Sequence, residues 1–220
     1  MRKKRNARIE EPSVPPLALT HGQMLWLLSE LGFHHGVHPS TFNYYVKSLR
    51  KLGIPFGTEV RGRPHEHVVY IFEDLMELAL ALLLRVYGTL PDAVAVGLRN
   101  FRNDLRPIYR QAYIEGIAPK CSKVSVRQMG RSTSATGLYL DLGIRYAAGR
   151  MTGFGPPRAV SPFEAACIYL HSELPGRACL PLNMSAVAKS IIVASRHLPN
   201  IGRGHAASRA IARRSTGNRP

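Results

Sequence analysis

The feature that most constrains this chain is an apolar run, Leu75–Leu84, interrupted only by Glu77 and followed by Arg85. It is far short of the roughly 20 residues that span a bilayer. It therefore predicts a buried helix, extending over Phe72–Tyr87, with Glu73 and Asp74 in the first turn where the helix dipole favours anions. Gly88 ends it. A buried helix needs a core around it, and a 220-residue chain that is 45% hydrophobic can supply one. That length allows one large domain or two small ones. Disorder along the whole chain is excluded by the same apolar content.

Charge narrows the partner. Thirty Lys and Arg against fourteen Asp and Glu leave a formal net charge of +16, which predicts a polyanion, most commonly nucleic acid. A lipid surface would require a basic amphipathic helix with large apolar residues opposite the charges, and the basic ends lack that face. No apolar segment follows Arg2, Lys3, Lys4 and Arg5, so no secretory signal is read. Three cysteines, none close to another in sequence, fit a reduced, cytosolic compartment.

Residues 1–16 read as a flexible basic arm and residues 199–220 as a flexible basic tail, free of acidic residues and rich in Gly, Ala, Ser and Arg. Two modules lie between them. In the first, residues 17–116, His21–Leu31 has helical apolar spacing. Gly32–Pro39 is a turn, and Ser40–Leu52 is a helix stopped at Gly53 and Pro55. Thr58–Val69 is a polar stretch with Arg61-Gly62-Arg63 at its tip, and Val68, Val69 and Tyr70 read as a short strand, together suggesting a two-stranded wing. Thr89 caps a further helix through Val94, Leu98, Phe101 and Leu105, which Pro107 is expected to kink before Tyr109 and Tyr113.

The second module, residues 120–198, shows period-two alternation over Leu138–Ile144, hence a half-buried strand, with a weaker one at Val124–Val126. Gly153-Phe154-Gly155 reads as a turn leading to Pro156-Pro157. Ser161-Pro162-Phe163-Glu164 is a capping box opening a helix with Cys167 on its apolar face. Cys179 falls in an expected loop. Pro181, Leu182 and Asn183 precede a last helix, Met184–His197. The fold class is thus mainly α with small β elements.

The helix Ser40–Leu52 carries the functional signal. Phe42, Tyr45 or Val46, Leu49 and Leu52 share one face. Asn43, Tyr44, Lys47, Arg50 and Lys51 share the other, with no carboxylate among them. A solvated helix usually mixes both signs, whereas amide, ammonium and guanidinium donors suit base edges and phosphates. The bland alternative is a solvated basic face. Arg61 and Arg63 follow closely enough to add a second basic element.

The order helix, turn, "HPSTFNYYVKSLRKLGIP", basic wing, "YIFEDLMELALALLLRVYGTLPDAV" resembles the N-terminal winged helix-turn-helix of MerR-type transcriptional regulators, over about residues 20–105. Thr41, Phe42, Asn43, Tyr44 and Tyr45 match the family's Thr-Leu-Arg-Tyr-Tyr stretch, and Tyr70 with Phe72–Leu75 matches the end of its wing. The resemblance implies a winged helix-turn-helix, a linker helix and a C-terminal α+β module that senses a ligand or forms an oligomer. It implies a bacterial, cytoplasmic, nucleoid-associated regulator of transcription bound to double-stranded DNA. The contacts would be Ser40, Thr41, Asn43, Tyr44, Lys47, Arg50, Lys51, Arg61 and Arg63. Asn43 stands where the family has a DNA-contacting Arg, so base preference does not carry over. The family's dimer helix is represented only by Leu98–Tyr113, which leaves a homodimer open and the effector unknown.

No active site is read, and no cofactor or metal site. His34, His35 and His38, with His65 and His67, crowd two loops, yet no Cys lies near and the spacing fits no zinc ligand set. Gly153–Gly155 lacks the Lys-Ser/Thr of a P-loop. Two functions stay open: a sequence-specific regulator, or an architectural or accessory nucleic-acid protein that binds mainly through backbone charge. RNA is less favoured, since neither an RNP-type aromatic motif nor a GXXG loop is present.

Overall fold

The structure is a computed structural model and describes residues 17–56, 68–86, 91–117, 138–147, 150–170 and 177–200. Among these it is mainly helical, with one small antiparallel sheet. The helices are α1 His21–Glu30, α2 Pro39–Lys51, α3 Phe72–Val86, α4 Pro91–Asn100 and α5 Arg102–Ile117, followed by α6 Pro162–Leu170 and α7 Met184–Ser195. The strands are β1 Tyr139–Ala147, β2 Arg150–Val160 and β3 Arg177–Asn183, in the order β2-β1-β3.

Thr20 and Gln23 start α1 with a capping box, each side chain serving the other's backbone N–H. Gly32 and Gly36 turn the chain at φ 82° and 74°, values that suit a residue without Cβ. His34 Nδ1 sits 3.0 Å from the Ser29 carbonyl, fastening the turn to the end of α1. His38 caps α2 by accepting the Ser40 N–H, and Pro39 takes the first helical position. Both histidines thus bond to local groups, and no metal-binding cluster of His, Cys, Asp or Glu occurs among the described residues.

The apolar run is the centre of the molecule, as its composition requires. Every residue of α3 from Phe72 to Leu82 is buried. Three of them are acidic. Glu77 is held by Arg102 in a two-pronged pair, with the closest contact at 2.7 Å, and Glu73 is held by Arg110 at 2.9 Å. Arg102 also donates to the Gly53 carbonyl at 2.8 Å, which ties the start of α5 to the turn after α2. Asp74 accepts the Ile71 N–H at 3.1 Å and closes the start of α3.

The sheet lies against the helices. Leu140 and Leu142 on β1, Phe154 on β2 and Leu182 on β3 are buried, with α4 and α5 against β2 and α7 against β1. The Phe154 ring fills the space where a Cβ on Gly97 would stand. Ser185 Oγ accepts the Leu138 N–H at 2.7 Å, anchoring α7 to β1, and α7 packs on α5, α1 and α3. One hydrophobic core therefore joins residues from Leu19 to Ile192.

Several expectations change. The chain breaks at Phe101, whose carbonyl accepts from Asp104 and Leu105, so α4 and α5 are two helices and Pro107 sits inside the second. Gly153-Phe154-Gly155 and Pro156-Pro157 are not a turn but part of β2. Prolines are tolerated there because β2 is an edge strand. The backbone of Cys179 and Pro181 belongs to β3, at the opposite edge, rather than to a loop. Tyr70 makes an isolated bridge with Leu19 instead of a longer strand. Phe163 is exposed and Cys167 half-buried, because α6 covers the outer side of the sheet rather than entering the core. The Ser161–Glu164 capping box forms as expected. The Val124–Val126 strand, the Thr89 cap and both basic ends fall outside the described residues.

Two measurements check this packing. Gly97→Ala puts a methyl group into the Phe154 ring and should cost about 1–3 kcal/mol in denaturant unfolding. Burial pushes the Asp74 carboxyl up to about 6, so the folded state takes up its proton more readily than the unfolded chain. Asp74 therefore makes the parent less stable as pH rises from about 4 to about 6. Relative to Asp74→Asn, which keeps an acceptor for Ile71, the parent should lose roughly 2 kcal/mol across that window. A pH-independent difference between the two proteins would rule this out.

Candidate nucleic-acid interface

The candidate interface is built on α2, and burial divides its circumference sharply. Phe42, Val46 and Leu49 enter the core. Val46, not Tyr45, takes the inner position left open by spacing. The opposite stripe holds Ser40, Tyr44, Lys47 and Lys51, all exposed, with Tyr44 at 67%. It contains two ammonium groups, a phenol and a hydroxyl but no carboxylate. Arg50 and Lys51 lie in the last turn, where cations complement the helix dipole.

Two half-buried flanks border the stripe. On one side Asn43 and Arg50, expected to face outward, turn toward the start of α1. There His21 Nδ1 lies 3.1 Å from the Tyr70 hydroxyl. Burial, the nearby Arg50 and Lys47 charges all lower the His21 pKa, partly offset by the Asn43 amide, so the ring is neutral at pH 7. Burial holds Tyr70 protonated, its pKa pushed up to about 12. The Asn43 Oδ1 is buried without a hydrogen bond at ordinary geometry.

On the other side are Thr41, Tyr45 and Ser48, all half-buried. The Arg85 guanidinium, from the last turn of α3, lies over the Tyr45 ring at 3.3 Å from its centre. Tyr44 meets Tyr45 edge-on at 6.4 Å.

The structure thus brings together Ser40, Tyr44, Lys47 and Lys51, and sets Thr41, Asn43 and Arg50 beside them. Arg61 and Arg63 lie outside the described residues. His21, Tyr45, Tyr70 and Arg85 were not anticipated as neighbours of this face. Only Arg85 left a trace in sequence, as a cation ending an apolar run with Ala81 and Leu82 at the preceding helical turn.

Known proteins supply no template for this surface: no family model, curated protein or solved structure matches the chain.

The convergence of α2 cations on the start of α1 is measurable by NMR titration of the imidazole. His21 should titrate below 6.5. Arg50→Ala should move its midpoint upward, and Lys47→Ala should do so by less, because the Arg50 charge depresses it more strongly. A midpoint indifferent to both substitutions would separate these side chains.

Proposed function

We propose that this protein is a DNA-binding transcriptional regulator that places α2 in the major groove of duplex DNA. The observation that carries this reading is the exposed stripe Ser40, Tyr44, Lys47 and Lys51, polar, cationic and free of carboxylates, opposite a fully buried face. A helix with its side chains is about 10–12 Å across, and the major groove is about 12 Å wide. Residues 39–51 stand proud of the core with their apolar side already satisfied, so insertion would uncover no hydrophobic surface.

In this reading α1, the glycine turn and α2 form a helix-turn-helix, and the Arg61–Arg63 segment supplies the wing. Lys47 and Lys51 meet phosphate or guanine, Tyr44 reaches the backbone, and Asn43 borders the bases from the flank. The net charge of +16 provides attraction to any duplex. The sheet and α7 would act on α2 through α5, since Arg102 joins the start of α5 to the turn after α2. Their role is ligand sensing or oligomerisation. Oligomerisation through α5 would need a face other than Leu105, Tyr109 and Ala112, which are already buried within the chain.

Selection of bound sites from random duplexes tests this directly. A regulator should prefer its best site over random DNA by at least ~10³. Equal affinity for all sequences would favour the architectural alternative. With either duplex, Lys47→Ala/Lys51→Ala should lower the salt exponent, by about 0.9 for each of the two that meets phosphate. An unchanged exponent would take α2 off the DNA.

A further inference from the structure

Resting on the reading of α2 as the DNA-facing helix, we infer that Arg85 is a further DNA-contacting residue, poised to grip phosphate on the backbone strand opposite the one met by Arg50. Two arginines of α5 give the contrast to Arg85. Arg102 is consumed by Glu77 and the Gly53 carbonyl, and Arg110 by Glu73. Arg85 has neither an ion pair nor a hydrogen bond among the described residues; its guanidinium is laid on the Tyr45 ring.

Stacking spends the faces of a guanidinium and leaves its N–H donors, which lie in the plane, available. It also fixes a long side chain before any ligand arrives, which lowers the entropy lost on binding. Tyr45 is itself fixed: it is half-buried on α2 and in edge contact with Tyr44. Arg85 is therefore an anchored cation with unspent donors at the border of the carboxylate-free stripe.

Its position relative to Arg50 gives the strand assignment. Successive helix residues are separated by about 100°, so Tyr45 and Arg50 fall on different sides of the stripe formed by Ser40, Tyr44, Lys47 and Lys51. The Arg50 side faces α1 and Tyr70, and the Tyr45 side faces the end of α3. A helix seated in a groove about 12 Å wide has a phosphate wall along each flank. A cation on each flank then meets a different strand. Fastening α2 to α3 is the competing role for the stack, and it predicts a loss of stability with no change in salt dependence.

The test uses the full chain and a short duplex carrying the sequence most enriched by selection. Arg85→Gln and Arg85→Ala, with circular-dichroism melting to verify folding, should each lower the salt exponent by about 0.9, and Arg85→Ala/Arg50→Ala by about 1.8. Tyr45→Leu, which leaves the charge but removes its support, should weaken binding while keeping the exponent. Methylphosphonate replacement of single phosphates identifies the strand. Arg85→Gln should become indifferent to neutralisation on one strand, and Arg50→Ala on the other. An Arg85→Gln protein with the parent's exponent overturns the inference, and so does mapping of both arginines to one strand. Failure of the underlying reading is distinct: the parent would then bind duplex DNA with no dependence on Lys47 and Lys51, and the strand assignment would fall with it.

Discussion

The contact between Arg102 and Glu77 organises this molecule more than any other polar interaction. Glu77 lies within the most apolar segment of the chain and is almost fully buried. A lone carboxylate there would cost several kcal/mol, whereas one met by a two-pronged guanidinium is tolerated. The same guanidinium reaches the Gly53 carbonyl. One side chain thereby fixes the central helix, the end of α2 and the start of α5. Such a pair adds little net stability over an apolar substitute, because desolvation offsets most of its attraction. What it supplies is placement: α5 docks in one register on α3, with a second pair formed by Glu73, about one turn back on α3, and Arg110, about two turns on along α5.

Placement matters because α2 owes its position to few contacts. It contributes Phe42, Val46 and Leu49 to the core, and little else holds it except its ends. The start is capped by His38 and Pro39, and the end is held by Arg102 through the Gly53 carbonyl. The flanks add the His21–Tyr70 and Arg85–Tyr45 contacts. A helix held at its ends and flanks keeps its outer stripe free. α5 also carries α7 and the sheet. The helix that packs against α7 and the sheet is thus the same one whose Arg102 holds the end of α2.

The elements most legible in sequence were those with local rules. The glycines around His34 and the Ser161–Glu164 box each declare a helix end within four residues, and each forms as local chemistry requires, whereas the Thr20–Gln23 box went unread. The acid-led apolar helix and the first strand were equally plain. What local rules could not show was which strand lies at an edge. Pro156-Pro157 read as the sequel of a turn and Pro181 only as the approach to a helix, until the order β2-β1-β3 makes both flanking strands outer ones. The break at Phe101 was hidden for a related reason: proline is the louder signal, yet α5 absorbs Pro107 on an exposed turn. On α2, periodicity separated inner from outer residues. It did not identify Asn43 and Arg50 as flank residues, because the neighbours that make a flank, His21, Tyr70 and Arg85, come from distant parts of the chain.

The distribution of acid sharpens the electrostatic picture drawn from composition. Glu73, Asp74, Glu77 and Asp141 are all buried. Two of them are committed to arginines of α5, and Asp74 to a helix cap. Glu73 and Glu77 do little to dilute the field outside the protein, since their charge is met by Arg110 and Arg102. The exposed stripe of α2 has no carboxylate of its own. Each arginine of α5 that answers a buried acid is correspondingly withdrawn from binding. The cations of the described residues thus differ in availability: Arg102 and Arg110 are paired inside the helical core, while Lys47, Arg50, Lys51 and Arg85 make no ion pair there. Among the described residues, Lys47, Arg50, Lys51 and Arg85 surround a helix whose apolar face is already buried.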